Sequence, residues 1–263
     1  MRERFAALKT RSRKALVAFL TAGDPDAQAT VPALHTLVAN GADVLEVGVP
    51  FSDPEAEGPA IQAASERALA NGITLASVLS MVQQFREQDT DTPIVLMGYL
   101  NSVLAMGESG FAEAASAAGV DGVILVNLPP EEAASLQQAL AAVGIDLILL
   151  VAPTTTRVRR QMIADSCSGF LYYVSLKGPT GSGHMDPEDV KRNVSELKQM
   201  TQLPICIGFG IKDGATAAAV AQGADGVVVG SALVATMGDA QLTLDQKLAR
   251  LAEQVQDIRS GLE

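Results

Sequence analysis

Leu45-Glu46-Val47-Gly48-Val49-Pro50-Phe51-Ser52-Asp53-Pro54-Glu55-Ala56-Glu57-Gly58-Pro59 is an apolar run that breaks into a glycine- and proline-rich loop. The run, Ala42–Pro50, is short and Val/Leu-rich with almost no polar alternation, as expected of a parallel strand covered on both faces. Seven more such runs occur: Ala15–Gly23, Pro93–Tyr99, Gly122–Pro129, Asp146–Pro153, Phe170–Leu176, Leu203–Gly210 and Gly226–Leu233. Helical stretches lie between them, among them Ala27–Asn40, Pro130–Val143, Pro187–Met200 and Asp213–Gln222. Asp186-Pro187 and Asn127-Leu128-Pro129-Pro130 supply caps and first-turn prolines. A last helix, about Leu242–Ile258, aligns Leu244, Leu248, Leu251 and Val255 on one face. Eight βα repeats in 263 residues favour a closed (β/α)8 barrel, with a short extra helix at the N-terminus and residues 1–263 as one domain. An open doubly wound sheet is the rival, but no Gly-x-Gly-x-x-Gly follows the first strand.

Composition narrows the classes. Hydrophobic residues make up 48% and charged residues 19%, which indicates a filled core. No apolar run approaches the roughly eighteen residues of a membrane span, and Met1-Arg2-Glu3-Arg4-Phe5 lacks the apolar core of a signal peptide. The expectation is a cytoplasmic protein whose two cysteines, Cys167 and Cys206, are buried thiols without metal-ligand spacing. A net charge of −11, with no basic block to offset it, opposes partnership with nucleic acid or membrane.

In a parallel barrel the chemistry sits at the C-terminal ends of the strands. Strand parity puts Val44, Glu46 and Gly48 on one face and Leu45, Val47 and Val49 on the other. With the first set inward, Glu46 points into the barrel mouth and Gly48 leaves space above it. An ionised glutamate there costs several kcal/mol, roughly, unless it is paired, solvated or used. Glu57 sits on the following loop, where it can oppose Glu46 across a cleft, and two carboxylates on one pocket suffice for acid/base chemistry without a metal. The competing reading is a buried ion pair and an ordinary loop charge. Gly178-Pro179-Thr180-Gly181, Gly208-Phe209-Gly210 and Gly230-Ser231 follow the last three strands and suggest a backbone cradle for a phosphorylated small molecule. Tyr99, Asn101, Tyr172 and Ser175 are expected to line the same end. His35 in a helix and His184 in a loop fit no triad or metal pattern.

Beyond these readings, Leu45 to Pro54 followed by Gly58-Pro59-Ala60-Ile61-Gln62 resembles the alpha chain of tryptophan synthase. So do Phe19-Leu20-Thr21-Ala22-Gly23-Asp24-Pro25, Met97-Gly98-Tyr99-Leu100-Asn101, Leu171-Tyr172-Tyr173-Val174-Ser175, Gly208-Phe209-Gly210-Ile211 and Val229-Gly230-Ser231-Ala232, in order over nearly the whole chain. The resemblance implies a TIM barrel performing a carbon–carbon lyase reaction, the retro-aldol cleavage of indole-3-glycerol phosphate to indole and glyceraldehyde 3-phosphate. It implies Glu46 as the acid/base, Glu57 at the carboxylate that meets the indole N–H, and Tyr172 packed beside Glu46. Phe19, Ile61 and Tyr99 match substrate-pocket positions, and Gly181, Phe209, Gly210, Gly230 and Ser231 match phosphate-binding ones. Thr180 matches the threonine of a mobile lid. The partner implied is a pyridoxal-phosphate-dependent beta chain in an alpha2-beta2 tetramer, and the alpha chain itself needs no metal or cofactor.

Departures from the family pattern are Glu57 for aspartate, Glu55 for an apolar residue, Pro179 for valine, Ser102 for proline and Asn127 for aspartate. Glutamate moves the carboxylate by one methylene, in sites aligned to about 0.5 Å. Glu55 is expected to raise the proton affinity of Glu57, and Pro179 to stiffen the lid. The expectation is an alpha chain with weakened catalysis; the alternative is an impaired, phosphate-binding regulatory subunit. A Schiff-base aldolase would need a lysine on a barrel strand, and Lys177 lies on the lid.

Overall fold

A computed structural model of the chain describes residues 1–174, 187–208 and 210–263. Ser175, Lys177, Pro179, Thr180, Gly181, His184 and Phe209 lie outside the described residues. Helix α1 (Arg2–Thr10) precedes β1 (Ala15–Thr21), α2 (Ala27–Ala39), β2 (Val44–Gly48), α3 (Pro59–Ala70), α4 (Leu75–Arg86) and β3 (Ile94–Gly98). The chain continues through α5 (Leu100–Met106), α6 (Glu108–Ala118), β4 (Gly122–Leu125), α7 (Ala134–Ala142), β5 (Asp146–Ile148), β6 (Leu150–Val151), α8 (Arg157–Ser166) and β7 (Leu171–Val174). It ends with α9 (Pro187–Leu197), β8 (Ile205–Gly208), α10 (Gly214–Val220), β9 (Gly226–Val229), α11 (Ser231–Met237) and α12 (Leu244–Gly261).

All pairings are parallel, in the order β5-β4-β3-β2-β1-β9-β8-β7-β6. The two ends of that order, β5 and β6, are consecutive in the chain and separated only by Leu149, so the sheet closes on itself. The expected fifth strand is thus two segments. At the break the Leu149 N–H donates to Cys167 Sγ at 3.3 Å, and pairing passes from β4 on one side to β7 on the other.

Other departures are small. Pro130–Val143 is a 3-10 turn, Pro130–Glu132, followed by α7. The last helix begins at Leu244 because the Thr243 hydroxyl accepts the Gln246 N–H, and Leu244 itself is exposed in the first turn. Leu248, Leu251 and Val255 pack inward as read.

Parity holds around the barrel. Val17, Val44, Val95, Ile124, Ile148, Tyr172, Cys206 and Val228 form an inner cluster, closed at its N-terminal end by Phe5 and Leu8 of α1. Leu45 and Val47 belong to the larger cluster between sheet and helices. At the N-terminal rim one device recurs: the aspartate before a strand accepts a backbone N–H from its neighbour. Asp43 takes Leu16, Asp121 takes Ile94 and Asp225 takes Ile205, at 2.8–2.9 Å, satisfying donors that the barrel edge would otherwise strand. Each is backed by a cation: Arg259 and Arg13 on Asp43, Arg86 on Asp121, Lys198 on Asp225. Among the described residues, no helix is long and apolar enough to cross a membrane.

Candidate active site

Glu46 lies mid-strand in β2, paired in register with Phe19 of β1 and Val95 of β3. It is 1% exposed, and its Oε2 is buried without a hydrogen-bond partner among the described residues. No described cation pairs with it, so the competing ion-pair reading finds no support among the described residues. Burial drives its proton affinity up first, with the charge of Glu57 adding, and the carboxyl titrates at about 8. Glu57, on the loop before α3, is also buried, and burial pushes it up to about 7. The expected contribution of Glu55 is not the cause: its side chain is exposed, and desolvation accounts for the rise at Glu57. The backbone of that loop is pinned by the Glu57 N–H on Pro54 O (3.0 Å) and by Gln62 Nε2 on Glu57 O (2.9 Å).

Glu57 lines a small cleft at the C-terminal end of the strands together with Phe19, Gly48, Ile61 and Tyr99. The Phe19 ring lies over two glycines. A Cβ on Gly48 would stand 2.7 Å from its Cζ, and one on Gly230 would stand 3.3 Å from its Cδ1. The Tyr99 hydroxyl accepts the Ala56 N–H at 3.1 Å, and the ring stacks on Phe51 at 4.7 Å, which ties the Glu57 loop to the end of β3. Tyr172 is buried within the barrel. Its hydroxyl is held well above its usual value by burial, then by the neighbouring Glu46 and Glu57 charges. Glu46 does not itself line this cleft, but it lies close enough to feel the Glu57 charge, and two coupled carboxyls with raised proton affinity are equipment for proton transfer near neutral pH.

Of the expected phosphate set, Gly210 is exposed in a left-handed conformation (φ 77°), and Gly230 precedes Ser231, the exposed first residue of α11. Thr180, Gly181 and Phe209 lie outside the described residues. Asn101 does not join the cleft: its side-chain oxygen accepts from Asn127 Nδ2 at 3.2 Å on the outer rim. Sequence reading passed over Thr21, whose buried hydroxyl has no partner among the described residues and which lines the cleft. Its parity with Phe19 on β1 was the available signal. It also passed over Asp24, which is buried and held by Arg67 of α3 through two contacts of 2.6 and 3.0 Å. That pair anchors the helix following Glu57 to the end of β1.

Gly208 offers a test of how tightly the site is packed. A Cβ there would fall 2.2 Å from the Tyr172 hydroxyl, so Gly208→Ala must displace the ring beside Glu46. A shift near 1 Å is expected to lower kcat/KM about a hundredfold with far-UV circular dichroism unchanged. Turnover within a factor of three of wild type would show that the ring is free to move.

A family profile described as tryptophan synthase alpha chain matches residues 5–263. The tryptophan synthase alpha chain of Alkalilimnicola ehrlichii is 51% identical over all of this chain and 96% of its own length. That of Chromobacterium violaceum is 58% identical over 84% of this chain and 85% of its own. The crystal structure of tryptophan synthase subunit alpha from Legionella pneumophila superposes with a TM-score of 0.91 at 42% identity, covering 99% of this chain and 97% of that one. The chain belongs to the tryptophan synthase alpha chain family, lyases of tryptophan biosynthesis.

Proposed function

We propose that this chain, as one barrel domain over residues 1–263, cleaves indole-3-glycerol phosphate to indole and glyceraldehyde 3-phosphate in the cytoplasm. The observation that carries the reading is the pair of buried carboxyls, Glu46 and Glu57, raised together at the mouth of the barrel. Glu46, neutral at pH 7, gives its proton to the indole ring carbon that bears the glycerol chain. The positive charge that develops is delocalised onto the ring nitrogen, whose N–H meets the Glu57 carboxylate. Glu46, now ionised, takes the proton from the hydroxyl next to that ring. The carbon–carbon bond breaks, its electrons restore the aromatic ring, and the glycerol carbon leaves as an aldehyde. Tyr172 packs beside Glu46, while Phe19, Ile61 and Tyr99 form the walls of the indole pocket. The phosphate is held by Gly210, Gly230 and Ser231, the last at the first turn of α11, where free N–H groups favour an anion, together with Gly181 and Phe209, while Thr180 closes the lid.

The proposed partner is a pyridoxal-phosphate-dependent tryptophan synthase beta chain in an alpha2-beta2 tetramer. Leu104 (57% exposed) and Val158 (78% exposed) present apolar surface on α5 and α8, elements that follow barrel strands toward the same end. Indole release by the purified chain, alone and with a beta chain, tests the whole reading. Slow cleavage alone that accelerates with the beta chain supports it; no cleavage in either condition, with the beta reaction still stimulated, would mean a regulatory subunit.

The two carboxyls also set a pH dependence. Catalysis needs Glu57 ionised and Glu46 protonated, so kcat/KM is expected to rise through about pH 7 and fall through about pH 8. A profile flat from pH 6 to 9 would remove these groups from the proton-transfer step. Because Glu57 stands where the family pattern has aspartate, Glu57→Asp is expected to raise the cleavage rate severalfold, by an alignment change of about one methylene. An unchanged or lower rate would mean that the site is fitted to glutamate.

A further inference from the structure

At the opposite end of the barrel from Glu46, a groove of about 870 Å³ runs beneath α1, within the size range of small-molecule sites. Its inner wall is apolar: Phe5 and Leu8 of α1, and Leu203 and Pro204 ahead of β8. Phe5 is fixed there against Phe170, with ring centroids 5.7 Å apart. Most of its charged lining is basic: Arg2, Lys9, Arg13, Lys14 and Lys198. This reverses the character of the chain. The first fourteen residues hold six of the 19 lysines and arginines and a single acid, Glu3, in a protein of net charge −11. Helix α1 and the turn after it bring four of those six, Arg2, Lys9, Arg13 and Lys14, to one opening.

Two carboxylates also line the groove, Asp146 and Asp225. Asp225 is already engaged by Lys198 at 3.1 Å and by the Ile205 N–H at 2.9 Å. Arg2 and Lys9 have no ion-pair partner among the described residues. Arg13 lines the groove while contacting Asp43 at 3.2 Å.

We propose that this groove is a second binding site, for a small organic anion with a flat apolar body, such as an aromatic carboxylate. The apolar body would lie between α1 and the Leu203-Pro204 segment, and the carboxylate would face Lys9 and Arg13. Such a ligand bridges α1 to the barrel floor, remote from the cleavage chemistry, so the proposal does not depend on the activity proposed above.

The test uses the intact chain and 1-naphthoate as the probe, with neutral 1-naphthylmethanol as its uncharged counterpart. Binding is followed by titration calorimetry and by backbone amide shifts. The expected result is one saturable site with Kd below about 1 mM, with shifts at Leu8, Gly169 and Ala224 and none at Gly48 or Tyr99. Lys9→Glu, at an exposed position, is expected to weaken it at least fivefold, and naphthylmethanol to bind at least fivefold more weakly than the anion. Arg2→Glu provides a second charge reversal on the same rim. The proposal is overturned by the absence of saturable binding, by shifts confined to the catalytic end, or by affinity indifferent to both charge reversals and to loss of the carboxylate.

Discussion

Glu46→Gln is expected to lower the rate of indole release about a thousandfold, within the range that positioned acid/base groups contribute, and to make the protein more resistant to unfolding at alkaline pH. The two effects have one origin. The carboxyl is 1% exposed, with an Oε2 unpartnered among the described residues, so the barrel tolerates it in the neutral form and disfavours the charge. Its folded value, about 8, lies above the ordinary 4.5. A raised value of this kind leaves stability intact below about pH 4.5, erodes it as pH rises, and completes the loss near pH 8, at about 1.4 kcal/mol per pH unit across the window. Glutamine matches the shape and has no proton to lose. Urea unfolding of the two proteins at pH 5 and pH 9 isolates the difference, because effects of the amide itself cancel between the two pH values. Wild type is expected to lose several kcal/mol, roughly, relative to Glu46→Gln on going to pH 9. A stability difference that does not move with pH would mean that Glu46 is not the buried titrating group described, even if activity is lost.

Asp43→Ala is expected to be the most damaging single change to stability, at about 3–5 kcal/mol, while leaving the chemistry intact at a permissive temperature. Asp43 sits at the N-terminal rim, opposite the cleft. Its Oδ2 accepts both the Leu16 N–H (2.9 Å) and Arg259 (2.7 Å), and its Oδ1 faces Arg13 at 3.2 Å. Arg259 is almost wholly buried and donates also to Lys14 O at 2.8 Å, so the last helix is locked onto the start of β1. Burial lowers the proton affinity of Arg259, and the Asp43 charge works against that. Alanine leaves the guanidinium facing a dry rim and strands the Leu16 N–H, which is why removal costs far more than a surface pair would. The midpoint of thermal unfolding is expected to fall by roughly 5–9 °C for a chain of this length. The double variant Asp43→Ala, Arg259→Leu is expected to recover part of the loss, since it removes the orphaned charge. Additive losses in the double variant would show that the pair is not coupled.

Residue types and their spacing carried most of the architecture. Period-two parity in Val44-Leu45-Glu46-Val47-Gly48 was enough to turn Glu46 inward, because strand side chains alternate without exception unless a bulge intervenes, and the inner cluster contains Val44 while Leu45 and Val47 face the helices. The number of βα repeats limited the ways a parallel sheet could bury both faces. The family motifs added the likeness of the chain, from Phe19 to Ser231, to a known set of residues.

What parity could not supply was anything depending on distance between remote segments. That Glu57 is buried and adds its charge to Glu46 depends on how Pro54, Gln62 and Tyr99 hold its loop. The break at Leu149 depends on a thiol eighteen residues away. The basic groove beneath α1 arises because residues scattered from Arg2 to Lys198 meet at one end of the barrel. By itself the sequence determined which side chains face inward, since that follows from local backbone geometry. Only the tertiary structure decided which of them touch and which stay dry, because desolvation and charge coupling are set by neighbours that the chain brings together from far apart.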